Sequence, residues 1–486
     1  MINTRFGQVP LLMRAPGAPM TRVAVIGAGP SGLYAAEALR RTGRHEVLVF
    51  ERQARVGGMA LTRTYDAPDG RRIPYDMGSG QPFSSRKLFK LIKELHLHLG
   101  SDLGEGIRPG TPCHFRFLDT HTGEYSADFL RHRLTGQPLG RQLTQMRDFA
   151  RLIPWILRFR KLARPGHAHG FSPELLRMSE AEWMKACDFK LIGPLLRALS
   201  SISSHGGIHE DAADPRSLVQ SLKSFVFALN PPLRYTMGVW LPVREGYQEV
   251  LTRLARRLNV MTRAEITAIR RSDEGVHITC NGQDYEFDHL IIACPPGKVA
   301  AAMDCDVEET TLYARVRNRP TWRVCFLARG IPEPRGVYVF TDQAERADAP
   351  HALCDFHCHA LIEGTGTDAL RLYCGIVGHD RLDGIDAALQ ESERLLVKVF
   401  GAHDIRWIDK VFWPQFNSHF GIEDLASGIY DQFEQLQGRN RTWYTGEYLA
   451  GNSHSMTLEY SWRLVERHFS MAPKPVRGQR HEHRYA

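Results

Sequence analysis

The sequence contains no run of roughly 18 or more apolar residues, so it offers no transmembrane helix of ordinary length. Its nine cysteines are odd in number and lack paired spacing, which is typical of a reduced, intracellular chain rather than a disulfide framework. Acidic residues are fewer than basic ones, 54 against 62, for a formal net charge of +8. This balance fits an acidic substrate or an anionic surface, and it equally fits a role in solubility alone. We expect a cytoplasmic protein of two intertwined domains, given its 486 residues.

The stretch Val23–Glu51 carries the strongest motif. Four apolar residues, typical of a buried parallel strand, precede Gly27, Gly29 and Gly32 in the spacing G-x-G-x-x-G. The first glycine permits a tight turn, the second lets the backbone approach a pyrophosphate, and the third lets the next helix pack against the strand. Glu51 ends the second strand, where a carboxylate bonds a ribose hydroxyl. The stretch therefore predicts a dinucleotide site.

The first turn of the predicted helix belongs to the same site. Pro30 and Ser31 follow the glycines directly, and the free N–H groups and positive dipole end of this helix would point at the phosphates. A glycine-rich turn without a ligand is the alternative, and the strand, helix and acid around the motif argue against it.

The residues after Glu51 indicate which dinucleotide binds. They read ERQARVGGMALT and resemble the extended motif of FAD enzymes, a glutamate followed shortly by an Arg-x-Gly-Gly turn. The two glycines of that turn would let the backbone pass close to the diphosphate and ribityl chain. We therefore predict FAD, with these residues joining the site: Arg52, Arg55, Gly57, Gly58 and Met59.

A second G-x-G-x-x-G between strand and helix is absent from the sequence. Gly364 and Gly366 come nearest, but a strand-like stretch, Leu370–Val377, follows at once, so we predict a hairpin turn there. A separate NAD(P)H-binding domain is therefore not expected, and the flavin would exchange electrons with the substrate itself.

The middle of the chain contains helical patterns rich in Arg, His and aromatic residues. Gln142–Ala163 is basic and amphipathic, with a kink expected at Pro154. We interpret it as an ordinary helix with a solvated basic face, while membrane docking or a lid over a greasy substrate stays open. Cys354, His357, Cys358 and His359 alternate between the faces of a predicted strand, so we expect no metal site.

The C-terminal stretch gives a second strong pattern. Thr442–Glu447 predicts a strand ending at Gly446 and Glu447, followed by a loop to His454 and a helix from about Ser455 to Phe469. The N-terminus of that helix, at Ser455 and Met456, could point its dipole at the flavin pyrimidine edge and stabilise the negative charge of reduced flavin.

With these motifs, the chain resembles the flavin-containing amine oxidoreductases, a superfamily that includes amine oxidases, protoporphyrinogen oxidase and carotene desaturases. A closer likeness is to the bacterial polyunsaturated fatty acid double-bond isomerases, in Tyr75-x-Met77-Gly78 and across Phe412–Phe469. The resemblance implies that Met77 and Gly78 pass the flavin and that the strand at Ile266 lies against adenine. It also implies hydride abstraction from a substrate C–H to flavin N5, either as oxidation or, in an isomerase, with hydride return.

The resemblance also suggests substrate-side residues. Arg116 lies near the position where the isomerases clamp a fatty-acid carboxylate. Amine oxidases often hold a lysine near N5, but no lysine occurs from Val299 to Val397, and Arg323 stands near that place. Trp413 and His454 are further candidates for catalysis. Only His454 could attach flavin near Gly446, so we expect non-covalent FAD, a small-molecule or lipid-like substrate, and no nucleic acid.

We predict an α/β fold: a Rossmann-like FAD-binding domain of the glutathione-reductase-like type, interleaved with an α+β substrate domain and a mostly helical insertion. Peripheral membrane contact is compatible with this, and the oligomeric state is open. The expected boundaries are a disordered arm at 1–20, the FAD-binding domain at 21–83, 240–300 and 411–470, a helical substrate or lid region at 84–239, a β-rich substrate domain at 301–410, and a basic tail at 471–486.

Overall fold

The computed structural model describes most of the chain from Met20 to Ser470. The predicted disordered arm and basic tail lie outside the described residues, apart from Met20, and so does much of the predicted helical region 84–239. The described residues are 20–79, 86–99, 114–118, 120, 125–127, 139–159, 171–190, 217–219, 221–222, 242–332, 336–340, 352–377, 383–451 and 453–470.

Strands form two large and two small sheets in this part of the chain. They are β1 (Thr21–Ile26), β2 (His45–Glu51), β3 (Thr62–Asp66), β4 (Arg72–Asp76), β5 (His114–Leu118), β6 (Tyr125–Ala127), β7 (Asn259–Thr262), β8 (Ile266–Arg271), β9 (Val276–Cys280), β10 (Gln283–Phe287), β11 (His289–Ile292), β12 (Thr321–Arg329), β13 (Gly336–Phe340), β14 (Leu353–Glu363), β15 (Leu370–Val377), β16 (His403–Trp413) and β17 (Thr442–Tyr444).

Helices surround these sheets. They are α1 (Pro30–Thr42), α2 (Arg86–Glu94), α3 (Leu139–Arg158), α4 (Pro173–Arg177), α5 (Glu180–Ala186), α6 (Tyr247–Ala255), α7 (Val307–Ala314), α8 (Ile385–Phe400), α9 (Ile422–Ala426), α10 (Ile429–Leu436), α11 (Glu447–Ala450) and α12 (His454–His468). None of those described is long and apolar enough to cross a membrane.

A parallel five-stranded sheet, ordered β17-β11-β1-β2-β7, organises the first half of the fold. Its central strand β1 is buried from Val23 to Ile26, as the continuous apolar run requires. Helices α1, α2, α6 and α12 cover one face. The antiparallel sheet β8–β10 with α7 and α10 covers the other. The α/β prediction with a parallel sheet is confirmed.

Helix α1 begins and ends where its sequence dictates. Gly29 is its N-cap and Pro30 its first residue, a position where the missing N–H of proline has no partner to lose. Gly43 ends it in the left-handed conformation with φ 67°, and Arg40 and Arg41 in the last turn complement the dipole. The helix N-terminus is therefore fixed directly after the glycine turn.

The second large sheet has the order β16-β12-β15-β14-β13-β5-β6, and within it only β13 and β5 are parallel. Along β12, Val324 and Phe326 point to the side covered by α8, while Cys325 and Leu327 point to the β3–β4 hairpin. The predicted hairpin at Gly364 and Gly366 is confirmed, because it joins the antiparallel strands β14 and β15.

Some element predictions need correction. Residues 447–450 form the short helix α11 rather than part of a loop, and α12 begins at His454 rather than Ser455. The strand expected at Ile266 runs over Ile266–Arg271. Helix α3 spans Leu139–Arg158 without interruption at Pro154. Its solvent-facing side carries exposed leucines next to the exposed Arg151 and Arg158, so apolar side chains share the expected solvated basic face.

Candidate functional site

A cavity of about 390 Å³ lies at the carboxyl ends of the parallel strands. Ile26, Glu51 and Ala293 stand at the ends of β1, β2 and β11, and Gly446 follows β17. This is where open parallel sheets place their ligands. The lining consists of Ile26, Gly27, Gly29, Pro30, Ser31, Phe50, Glu51, Arg52, Gln53, Gly58, Met59, Ala264, Ile266, Ala293, Cys294, Pro295, Lys298, Val299, Ala302, Trp413, Pro414, Gln415, Ser418, Gly446, Glu447 and Tyr448.

The glycine turn has the close contacts that its spacing predicts. Gly27 has φ +104°, which L side chains rarely adopt. A Cβ on Gly32 would stand 1.9 Å from the carbonyl oxygen of Gly27, so only glycine lets α1 pack there. A Cβ on Gly29 would meet only Gly58 Cα, at 3.8 Å, so its missing side chain leaves open space at the cavity.

Glu51 is held in place by backbone amides. Its Oε2 accepts from the N–H of Ala28 at 2.8 Å, and its Oε1 accepts from the N–H of Gln53 at 2.8 Å. The carboxylate is 8% exposed and lines the cavity. Each oxygen keeps a lone pair, so the group can still accept from a ligand hydroxyl.

Arg55 supports the second glycine turn without lining the cavity. Its guanidinium donates to the carbonyl oxygens of Gly58 at 2.8 Å, Ala60 at 3.1 Å and Val56 at 3.3 Å. A Cβ on Gly58 would approach Gly29 Cα to 3.0 Å, so the two glycine turns touch through their backbones. Gly57 has φ +113°, directly precedes Gly58 in this turn and does not line the cavity.

Trp413, from the end of β16, forms one wall of the cavity. Its Nε1 donates to the carbonyl oxygen of Met77 at 2.7 Å, which fixes the orientation of the indole. Met77 and Gly78 stand behind the lining: Met77 is fully buried, and a Cβ on Gly78 would lie 1.9 Å from the carbonyl oxygen of Met59.

Glu447, the first residue of α11, provides a second carboxyl group, far from Glu51 in the sequence. It lines the cavity and accepts from the N–H of Ser418 at 3.3 Å. Burial raises the pKa of this carboxyl to about 7, although the Ser418 hydrogen bond opposes the shift. Near neutral pH the group can therefore donate as well as accept.

His454 lies beside the site, not in its lining. Its ring stacks on Tyr247 with the centroids 3.8 Å apart, and its Nε2 lies 2.9 Å from the Ser79 hydroxyl. Burial lowers the pKa of His454 to about 4, so it is neutral at pH 7. Ser455 and Met456 follow it inside α12, buried and also outside the lining.

Arg323 lies on β12, 7% exposed, with its guanidinium carbon 5.8 Å from the centre of the Phe416 ring. Burial lowers its pKa, while Asp355 and Asp76 oppose the shift. Its side-chain Nε is enclosed and has no hydrogen-bond partner among the described residues. It does not line the cavity, and Asp355 occupies the same row of the sheet, one strand beyond Ile376.

Arg116 is placed far from Arg323. It lies on β5, and four strand spacings separate β5 from β12 in the sheet order. At about 4.8 Å per strand, the two backbones are about 19 Å apart. The structure therefore does not bring the two predicted substrate-side arginines together.

Sequence reasoning missed several lining residues. Lys298, Cys294 and Pro295 follow β11, and the rule that ligands bind at carboxyl ends of parallel strands could have found them. Burial lowers the pKa of Lys298, whose charged neighbours include Arg52 and Glu51. This lysine thus stands at the Glu51 end of the cavity, directly before the lysine-free stretch of the chain.

The sequence profile of the family described as flavin containing amine oxidoreductase matches residues 30–335. The chain belongs to this family. A Mycobacterium tuberculosis protein named as a flavin-containing monoamine oxidase, AofH, is 27% identical over 396 residues, which cover 75% of this chain and 81% of that protein. The resemblance stated from the motifs is confirmed.

Solved structures share the fold at low identity. A fatty acid isomerase from P. acnes gives a TM-score of 0.70 at 20% identity and covers 92% of this chain and 99% of its own. Putrescine oxidase gives a TM-score of 0.65 at 16% identity, with 92% and 98% covered. The fold is thus the α/β fold of the flavin amine oxidases, one in which both oxidases and an isomerase occur.

Family membership implies a flavin, and the cavity fits one. The glycine turns have no side chains to cover the backbone beside the N-terminus of α1, so a diphosphate can approach it closely. Glu51 retains acceptor capacity for a hydroxyl, and Glu447 can exchange hydrogen bonds with another polar group. Arg52 and Lys298 add positive charge to the lining.

Proposed function

We propose that the protein is an FAD-dependent oxidoreductase that takes a hydride from a substrate C–H bond. FAD, when bound, supplies the hydride acceptor at N5. The observation that carries the proposal is one cavity that joins the Gly27–Gly32 turn, Glu51, Trp413 and Glu447, although these lie far apart in the sequence. Non-covalent binding and the glutathione-reductase-like subtype are part of the proposal, as are the domain boundaries and the cytoplasmic location.

The cofactor-holding roles follow from the contacts. Gly29, Pro30 and Ser31 would hold the diphosphate at the dipole end of α1, and Glu51 would accept from a ribose hydroxyl. Arg55 would act indirectly by bracing Gly58, since its donors are used by loop carbonyls. Ile266 lies in the lining near Ala264 and would contact the adenine.

We assign a separate role to each residue that the sequence predicted on the substrate side. Trp413 is held by the Met77 carbonyl and would form a rigid apolar wall that positions the substrate. His454, neutral and stacked on Tyr247, would position α12 rather than exchange protons. Arg323 would supply a buried cation in place of the lysine that oxidases of the family often hold near N5. Arg116 would clamp a carboxylate only in the isomerase alternative.

The alternative is an FAD-dependent double-bond isomerase acting on an unsaturated fatty acid or similar lipid, with hydride return and no net oxidation. The absence of lysine from 299 to 397 favours it, because Arg323 cannot exchange a proton near neutral pH as a lysine can. An isomerase requires only that the C–H bond be positioned and that water and oxygen be excluded.

Anaerobic mixing of the purified holoprotein with linoleic acid tests the two reactions. A rising conjugated-diene band without lasting flavin bleaching supports the isomerase. Bleaching by an amine or another reductant-type substrate, restored by air with oxygen uptake, supports the oxidoreductase. A protein that purifies colourless and binds no added FAD contradicts both.

A further inference from the structure

Helix α3 exposes a continuous apolar stripe, defined here as the α3 stripe. Its members recur at intervals of three, four and seven residues, so they share one face of the helix. They remain open to solvent to an unusual degree: Leu139 71%, Leu143 56%, Met146 58%, Ile153 51% and Leu157 62%. At 1.5 Å per residue the stripe is about 27 Å long.

The opposite face of α3 already provides the packing that the fold needs. Leu152 and Phe159 are buried in a cluster with Trp183, and Trp155 packs against the same ring with centroids 5.7 Å apart. The helix therefore has two apolar faces, one covered and one open. Packing among the described residues does not account for the open face, and exposed apolar patches of this kind mark interaction sites.

The charged side chains of α3 that reach solvent are basic. Arg147, Arg151 and Arg158 lie along one flank of the α3 stripe at helical spacing. The acid of α3, Asp148, is fully buried and accepts from the N–H of Lys190 at 2.9 Å. Arg147 and Arg151 approach Asp188, at 3.7 and 3.2 Å, and Arg158 forms no ion pair with any described residue.

We propose that the α3 stripe docks on an anionic phospholipid bilayer. The helix would lie in the plane of the interface, its leucines at the headgroup–acyl boundary and Arg158 at the phosphates. A convex helix face with a basic flank and no exposed carboxylate of its own matches an anionic surface, as does the net charge of +8. The proposal stands independently of the reaction at the cavity.

Co-sedimentation of the full-length protein with large vesicles tests it. We expect binding to vesicles of phosphatidylglycerol and phosphatidylcholine, little binding to phosphatidylcholine alone, and weakening as salt is raised. Absence of binding to the anionic vesicles overturns the proposal, and equal binding to both compositions overturns its electrostatic part. No turnover is measured, so a wrong reaction assignment does not affect the result.

Paired substitutions distinguish the stripe from general stickiness. Leu143→Asp combined with Leu157→Asp should weaken vesicle binding at least about tenfold, since burying one leucine contributes more than that factor. Val307→Asp is the matched control, because Val307 is 84% exposed on α7, away from the stripe. Loss of binding in the control as well overturns the proposal, and so does a stripe variant that binds like the unmodified protein.

A second copy of the chain is the competing occupant. Sedimentation velocity without lipid decides this: a dimer that the stripe substitutions convert to a monomer, in a protein that ignores vesicles, assigns the stripe to self-association and overturns membrane docking. All substituted positions are more than half exposed, so the variants should fold, which circular dichroism checks.

Discussion

The fold leaves room for a methyl group at Gly29, but the proposed bound FAD would not. Its φ is −77°, which any residue adopts, and only Gly58 Cα lies near an added Cβ. Gly29→Ala should therefore fold normally yet weaken flavin binding at least about tenfold, because the methyl group would occupy the diphosphate path. Flavin titration followed by absorbance measures the affinity, and thermal unfolding of the apoprotein checks the fold.

The matched control is Gly140→Ala in α3, where an added Cβ meets nothing within 4 Å. It should leave flavin affinity unchanged and raise stability by at most about 1 kcal/mol, because alanine is the better helix former. A Gly29→Ala protein that holds flavin as tightly as the unmodified one would contradict the placement of the diphosphate at this turn.

At the residue scale, the sequence revealed backbone roles better than side-chain directions. Spacing alone predicted the roles of Gly27 and Gly32, because a steric requirement of the turn leaves no alternative residue. The spacing could not show that the Arg55 guanidinium donates to loop carbonyl oxygens or that His454 stacks on Tyr247. Both depend on which groups the fold brings within about 4 Å of each other, and a one-dimensional pattern contains no such distance.

At the scale of elements, a buried ion pair joins strand β8 to helix α7. The guanidinium of Arg271, fully buried, donates to Asp304 Oδ1 at 2.7 Å and to both carboxylate oxygens of Glu309 at 2.7 and 2.6 Å. Glu309 also accepts from the Tyr444 hydroxyl at 3.0 Å, which links β17 to the same cluster. The cluster thus connects β8, α7 and β17, and β8 contributes Ile266 to the cavity lining.

Arg271→Met should lower the free energy of unfolding by about 3–5 kcal/mol, because it leaves the Glu309 carboxylate buried without its cation. Urea unfolding measures this. Arg72→Gln is the control, since its pair with Asp66 is 76% and 80% exposed and should contribute less than about 1 kcal/mol. Equal losses in both variants would show that burial does not determine the strength of these pairs.

The elements themselves were largely predictable, but their neighbours were not. The apolar run of β1 and the glycines after β14 indicated a strand and a hairpin, and both occur. The parallel pairing of β5 with β13 joins residues more than two hundred positions apart, and no local pattern encodes it. The outward side of α3 carries the expected basic residues, but its exposed apolar residues were not predicted, because both sides of the helix are apolar in part.

At the scale of the whole molecule, buried carboxyls make stability depend on pH. Burial raises the pKa of Asp76 to about 7, of Asp355 to about 6 and of Glu447 to about 7. Each binds its proton more tightly in the folded than in the unfolded chain. Their contribution is therefore favourable at acidic pH and is lost as the pH rises from about 4 to about 7.

Asp355→Asn should remove one part of this dependence. Asp355 is 4% exposed, and an uncharged amide avoids the cost of ionising it in place. We expect the variant to match the unmodified protein near pH 4 and to be about 1–3 kcal/mol more stable at pH 8, by urea unfolding of the apoprotein. Asp386→Asn, at a side chain 81% exposed, should show no such divergence. A variant less stable than the unmodified protein at pH 8 would reverse the assigned sign.

The walls of the cavity come from residues 26–59, 264–302 and 413–448. A ribosome must therefore add about 420 residues after Gly27 before it makes Glu447, which lines the same cavity. At about 5–20 residues per second, the first glycine turn waits tens of seconds for its counterpart. The complete cavity accordingly forms only after this last segment has been made, by a chain whose amino-terminal part has already had time to collapse.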